Sequence, residues 1–238
     1  NRWQDSVTGQ RSYNVLANRY EKLLEIGSKL ENYSIEDLAR CDIFKGIDKQ
    51  ILESMMEKVL DQTLSAQACS EIINQRKATH WYKESIASMY QALEIATDLL
   101  GLIRNSNFEI ADFLDGFTKY VNLWFRIDQL YRNYYFHVRQ SRENTFFERL
   151  NRQVEAQYSN NFLWPVNNRW QLIVDGARNW TDLPVMKQND FFQNHVLGLL
   201  QSGAKAAVVI SDGLRFEVAE ELERKVEEAG RFTATLSA

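Results

Sequence analysis

The chain has 238 residues, 28 of them basic and 32 acidic, for a net charge of −4; 45 % are hydrophobic and 12 % aromatic. That length and apolar content suffice for one large domain, or a medium domain with part of another. The charge balance excludes a global pull toward nucleic acid or anionic membrane, and no apolar run approaches the roughly 20 residues of a membrane span.

A cytoplasmic protein without a membrane partner is therefore expected. Cys41 and Cys69 are its only cysteines. Neither belongs to a Cys-x-x-Cys pair, which excludes a zinc finger or thioredoxin-type site, and two buried free thiols are expected rather than a disulfide. The first residue is Asn1, not Met, and an internal fragment of something longer is expected.

Both prolines, Pro165 and Pro184, fall late, so the preceding residues are free of the missing donor and ring clash that break helices. Apolar residues recur there at helical spacing. Val15, Leu16, Tyr20, Leu23 and Leu24 make one stripe. In "YSIEDLAR" Ser34 is an N-cap candidate, with Asp37 placed to reach back. Ile51, Leu52, Met55, Val59 and Leu60 make a second stripe, and Ile86, Met89, Tyr90, Leu93, Ala96 and Leu100 a third, ended by Gly101. The richest stripe is Ile110, Phe113, Leu114, Phe117, Val121, Trp124, Tyr131 and Tyr135. A helical bundle over 1–158 is predicted.

Residues 159–186 carry both prolines, many Asn and three of the six tryptophans. They read as a long connection anchored by aromatics, followed by a helix over Gln188–Gln201 with Gly203 at its C-cap. Then the period changes. Ala206–Ile210 is short, apolar and partly β-branched, as a strand buried on both faces would be. Leu214, Val218, Leu222 and Val226 mark one side of a helix closed by Gly230, and "RFTATLSA" alternates like a strand. The expected fold is mainly α: a helical bundle followed by an incomplete βαβ start of an α/β domain. The predicted divisions are 1–158, the aromatic-rich connection and helix at 159–202, and the truncated α/β part at 203–238.

Asp212 is the candidate functional residue. Ligands of open parallel sheets gather at the carboxyl ends of strands, and Asp212 follows the predicted strand directly, with Gly213 easing the turn. A carboxylate there can hold a divalent cation or act as a base or nucleophile. It can equally cap the following helix, and both readings stand. A Walker B reading fails because "GLLQSGAK" at 198–205 lacks the Lys-Ser/Thr ending and precedes a strand. An Asp-nucleophile phosphatase is disfavoured because position 214 is Leu.

Other candidates are less specific. His80, His137 and His195 are scattered, so packing or capping is expected rather than a metal site. Arg126, Arg132, Arg139, Arg142, Arg149 and Arg152 interleave with Tyr131, Tyr134, Tyr135 and Phe136. That pattern resembles a nucleic-acid surface, but a helix with buried aromatics and solvated or paired arginines is the preferred account, because helical period alone explains the aromatics. Asp112 and Asp115 are expected to be solvated.

"VVISDGLRFEVAEEL" resembles the start of the PglZ domain, a branch of the alkaline phosphatase superfamily. "HWYKESIASMYQALEIA" at 80–96, "WFRIDQLYRNYYFHVR" at 124–139 and "FLWPVNNRWQ" at 162–171 are similar, in the same order, to type A PglZ proteins of BREX phage-defence systems. The resemblance implies that 203–238 opens an alkaline-phosphatase-like domain. It implies that Asp212 matches the Asp that binds one of two catalytic metals, with zinc expected and manganese or magnesium as alternatives. Arg215 matches the family's Asp-x-Leu-Arg pattern and could meet a phosphate, or pair with Glu217 or Glu221. The nucleophile is expected beyond Ala238, so the fragment alone is expected to be inactive and to bind metal weakly. The parent would be a metal-dependent phosphoester hydrolase: a phosphatase, phosphodiesterase or nuclease. The alternative is a helical scaffold that docks other BREX proteins, including a DNA methyltransferase, with DNA a further candidate partner.

Overall fold

The computed structural model describes residues 3–4, 6, 8–83, 86–177 and 185–237. It is mainly helical, as the spacing predicts, and no strand occurs among the described residues. The helices sort into two units, residues 1–107 with 130–164 and residues 108–129 with 165–238.

The first unit begins with α1 (Gln10–Leu23), the short α2 (Ile26–Leu30) and α3 (Ile35–Leu38). Ser34 caps α3 as its spacing foretells: its Oγ accepts the Asp37 N–H at 3.2 Å and donates to the Asp37 carboxylate at 2.7 Å. Next come α4 (Lys45–Leu60), α5 (Ala66–Lys77) and α6 (Ala87–Asn105). On α4 the buried positions are 47, 48, 51, 52, 55, 56 and 59, one face of a 3.6-residue period. Ile51, Leu52 and Met55 face α6, where Tyr90, Leu93, Ala96 and Leu99 are fully buried, and α9 (Asn144–Ala156) adds Phe147, Leu150 and Val154.

Asp48 lies inside this apolar face, paired with the equally buried Arg76. Its carboxylate takes Arg76 Nε at 2.8 Å and Nη2 at 2.6 Å, and the Tyr90 hydroxyl at 2.6 Å. Arg76 also donates to the carbonyls of Ala39, at 3.2 Å, and Cys41. Burial opposes the charge on Arg76, but the Asp48 bonds outweigh it and hold the guanidinium above its ordinary pKa. Burial and the Asp48 charge push the Tyr90 hydroxyl up. The pair thus ties the loop after α3 to α4 and α5.

Several expectations change. Gly101 does not end α6, which continues to Asn105. The buried Leu99, Leu100 and Ile103 around it outweigh the roughly 1 kcal/mol that glycine costs a helix. The α1 stripe is helical, but it faces outward: Val15 is 62 % and Leu23 69 % exposed. Polar contacts fasten the other side, with the Tyr13 hydroxyl donating to the Ile43 carbonyl at 2.9 Å and Asn14 bonded to His80 Nε2 at 2.7 Å. Cys41 is exposed, while Cys69 is buried with its thiol pushed up to about 12 by burial. Of the residues read as a connection, 159–176 are helical, with a π-turn at Gln157–Leu163 running into α10 (Trp164–Gly176). The wide turn precedes Pro165 and relieves the i−4 crowding that excludes proline from an α-helix interior. Pro184 lies outside the described residues.

The second unit contains α7 (Phe113–Lys119), a π-turn at Tyr120–Trp124 and the first residues of α8 (Phe125–Ser141). Further on come a 3-10 turn at Gln188–Asp190, a π-turn at Phe192–Val196 and α11 (Leu197–Gln201), in place of one regular helix. Gly203 follows α11 at φ +78°, the left-handed geometry that suits glycine. The final helix, α12 (Phe216–Glu228), lies where its spacing predicts. The two flanking strands of the expected βαβ unit do not occur as elements among the described residues. A strand is defined by its ladder partner; 204–211 and 231–237 have none, and Val209 and Ile210 are each 90 % exposed.

Candidate functional site

Asp212 is exposed at the turn between 204–211 and α12. Gly213 follows at φ +69°, so an L-residue there would be strained. The N-cap of α12 is Arg215, extended at φ −79° and ψ 153°, with no side-chain cap bond. Asp212 is therefore three residues too early to cap the helix, and among the described residues its carboxylate has no hydrogen-bond or ion-pair partner.

Arg215 points its guanidinium at Glu217, with Nη1 3.6 Å from Oε1; the Arg side chain is 71 % exposed and that of Glu217 0 %. Among the described residues, neither Glu217 carboxylate oxygen accepts a hydrogen bond. The first turn of α12 is fixed from several sides. Phe216 meets Phe125 edge-on, with ring centroids 5.4 Å apart, and Tyr120 at 6.3 Å. Gln129 Nε2 donates to the Glu217 carbonyl at 3.2 Å and to Glu220 Oε2 at 2.7 Å.

The expected apolar side of α12 is buried only in part: Val218 and Val226 are half-buried, but Leu214 is 48 % and Leu222 54 % exposed, while Glu217 is buried. Periodicity could not reveal it, because a glutamate on an amphipathic helix reads as solvent-facing. The one usable signal was its place beside Phe216.

The carboxylate of Asp212 suits one ligand position for a hard or borderline cation. No group of three or more His, Cys, Asp or Glu poised to hold a metal occurs among the described residues. The residues present thus fit a single ligand and not a full set.

The other candidates are packed or paired to differing degrees. His80 is buried, its ring bonded to Asn14 and its backbone N–H donated to Asp42 at 3.1 Å. Burial lowers the pKa of His137, and His195 lies 3.2 Å from the Met186 sulfur. In the basic stretch, Tyr134 is fully buried and Tyr131 stacks on Tyr158 at 3.8 Å. Arg149 pairs with Glu57 at 2.5 Å and Arg152 with Glu148 at 2.7 Å. Packing accounts for these two tyrosines and ion pairs for these two arginines. Asp112, expected to be solvated, caps α7 by accepting the Asp115 N–H at 2.9 Å, and Asp115 accepts from Lys119 at 2.7 Å. An Asp three residues before another at the head of an apolar run was the overlooked signal.

Residues 191–238 match the family model of the BREX system PglZ alkaline phosphatase-like domain. The chain is 26 % identical over 227 residues to the alkaline phosphatase-like protein PglZ of Bacillus cereus (strain H3081.97), covering 93 % of this chain and 26 % of that protein. It is 28 % identical over 248 residues to the alkaline phosphatase-like protein BrxZ of Escherichia coli O9:H4 (strain HS), covering 98 % of this chain and 29 % of that protein. Residues 191–238 are thus similar to that domain, and the chain over most of its length is similar to PglZ and BrxZ, in line with the resemblance its sequence implied. The chain spans less than a third of the length of these curated relatives. No solved structure matches it.

Proposed function

We propose that the chain is the central part of a metal-dependent phosphoester hydrolase of antiviral defence, and that Asp212 is one of its metal ligands. The observation that carries this reading is the exposed, unengaged Asp212 carboxylate within the stretch matching the alkaline phosphatase-like domain. In the intact protein 206–210 and 232–236 would pair into the sheet of that domain, with α12 between them. Bound divalent ions, zinc or alternatively manganese or magnesium, would supply Lewis-acid activation of a phosphoester and of a hydroxyl nucleophile. This chain's own part is to present Asp212 at a fixed turn, with Gly213 keeping the approach clear, and to offer the Arg215 guanidinium to phosphoryl oxygens.

The 238 residues alone are proposed to be inactive, because one carboxylate does not make a two-metal site. The test is Asp212→Ala in the full-length protein, assayed for phosphodiester cleavage with added zinc, manganese or magnesium. Activity should fall at least a hundredfold; unchanged metal-dependent cleavage would remove Asp212 from the site.

A second reading rests on α1. Its exposed stripe of Val15, Leu16, Tyr20 and Leu23 is suited to docking another protein, and we propose that the bundle is a scaffold for other BREX components, including the DNA methyltransferase. The two roles are compatible. Val15→Lys with Leu23→Lys should leave the circular dichroism of the chain unchanged and abolish capture of those components. Undiminished capture would exclude α1 from the interface.

A further inference from the structure

We infer that Glu217 is a positioning residue that holds Arg215 for an anionic phosphoryl group bound at the Asp212 turn; this rests on the hydrolase reading above. Burying a carboxylate without hydrogen bonds is unfavourable, and Glu217 is in that position, with a side-chain exposure of 0 %. Phe216 is held against Phe125 and Tyr120, and the Glu217 carbonyl is held by Gln129. What the buried carboxylate does face is the guanidinium of Arg215, at 3.6 Å.

The arrangement does two things. It tethers one edge of Arg215 to a fixed negative charge, while the rest of the side chain, 71 % exposed, keeps N–H donors for a ligand. It also draws Arg215 away from Asp212, three residues earlier, where a direct ion pair would occupy the carboxylate that the metal needs. A guanidinium steered in this way suits bidentate contact with the oxygens of a phosphate ester. Glu217 itself touches neither substrate nor metal, and its effect passes through Arg215.

The test uses full-length protein carrying Glu217→Gln, Glu217→Asp, Arg215→Ala and the double variant Glu217→Gln/Arg215→Ala. Steady-state cleavage of bis(p-nitrophenyl) phosphate with manganese is measured beside calorimetric binding of inorganic phosphate. Glu217→Gln and Arg215→Ala should each raise KM and weaken phosphate binding on the order of tenfold, with kcat little changed. The double variant should be no worse than Arg215→Ala, and Glu217→Asp should recover part of the loss. Additive losses, or a Glu217→Gln variant with unchanged KM and phosphate affinity, would overturn the inference. If Glu217→Gln fails to fold, Arg215→Ala decides: wild-type KM and phosphate affinity would equally overturn it. Phosphate binding needs no turnover, so an inactive protein, which would sink the hydrolase reading, still distinguishes the two.

Discussion

Asp48 and Arg76 show what a buried charge pair demands of its surroundings. Each carboxylate oxygen and guanidinium edge has a partner, down to two backbone carbonyls. Asp48→Ala would leave the guanidinium unmatched and should cost about 3–5 kcal/mol in chemical denaturation. Replacing both partners, Asp48→Leu with Arg76→Met, should cost markedly less. The cysteines differ just as plainly. Cys41 is exposed and should react with a thiol reagent in the native state, whereas Cys69 should react only on unfolding. The buried Cys69 thiol is raised from 9.0 to about 12. Above pH 9.0 the unfolded state therefore loses its proton first. The stability that Cys69 contributes is complete below that pH and lost as pH rises toward about 12. Cys69→Ala should flatten the onset of alkaline unfolding, read from melts at successive pH values.

Among the elements, legibility followed how far apolar periodicity alone decided burial. The α4 and α6 stripes read correctly because aliphatic residues supply nearly all of their buried faces. In α1 the apolar period was equally clear and its direction was not, because Tyr13 and Asn14 dock by hydrogen bonds that hydropathy does not register. The π-turn at 157–163 defeated the reading differently. A wide turn shifts the helical phase by about one residue, so a stripe stops repeating although the helix continues, and 159–176 looks irregular in sequence. Asp112 offers a test at this scale. Asp112→Ala removes the α7 cap and should cost about 1 kcal/mol in denaturant unfolding, while Asp112→Asn should cost little. Asp115 is held below its ordinary value of 3.8 by its Lys119 bond and then by the Ala111 N–H. Its contribution is therefore complete above that pH and is lost as acid protonates it.

For the molecule as a whole, the sequence carried the likeness to PglZ proteins, the position of Asp212 and the pairing of Arg215 with Glu217, but not the burial of that glutamate, which depends on residues far away in the chain. Nor did it show that 206–210 would stand without a ladder. Val209 and Ile210 lie almost bare, β-branched, uncharged and flanked by no proline. Such a ribbon is adhesive toward its own kind. Concentrated solutions of these 238 residues should accordingly thicken into assemblies with an intermolecular β-sheet band in infrared spectra, and Val209→Lys should keep the molecules apart.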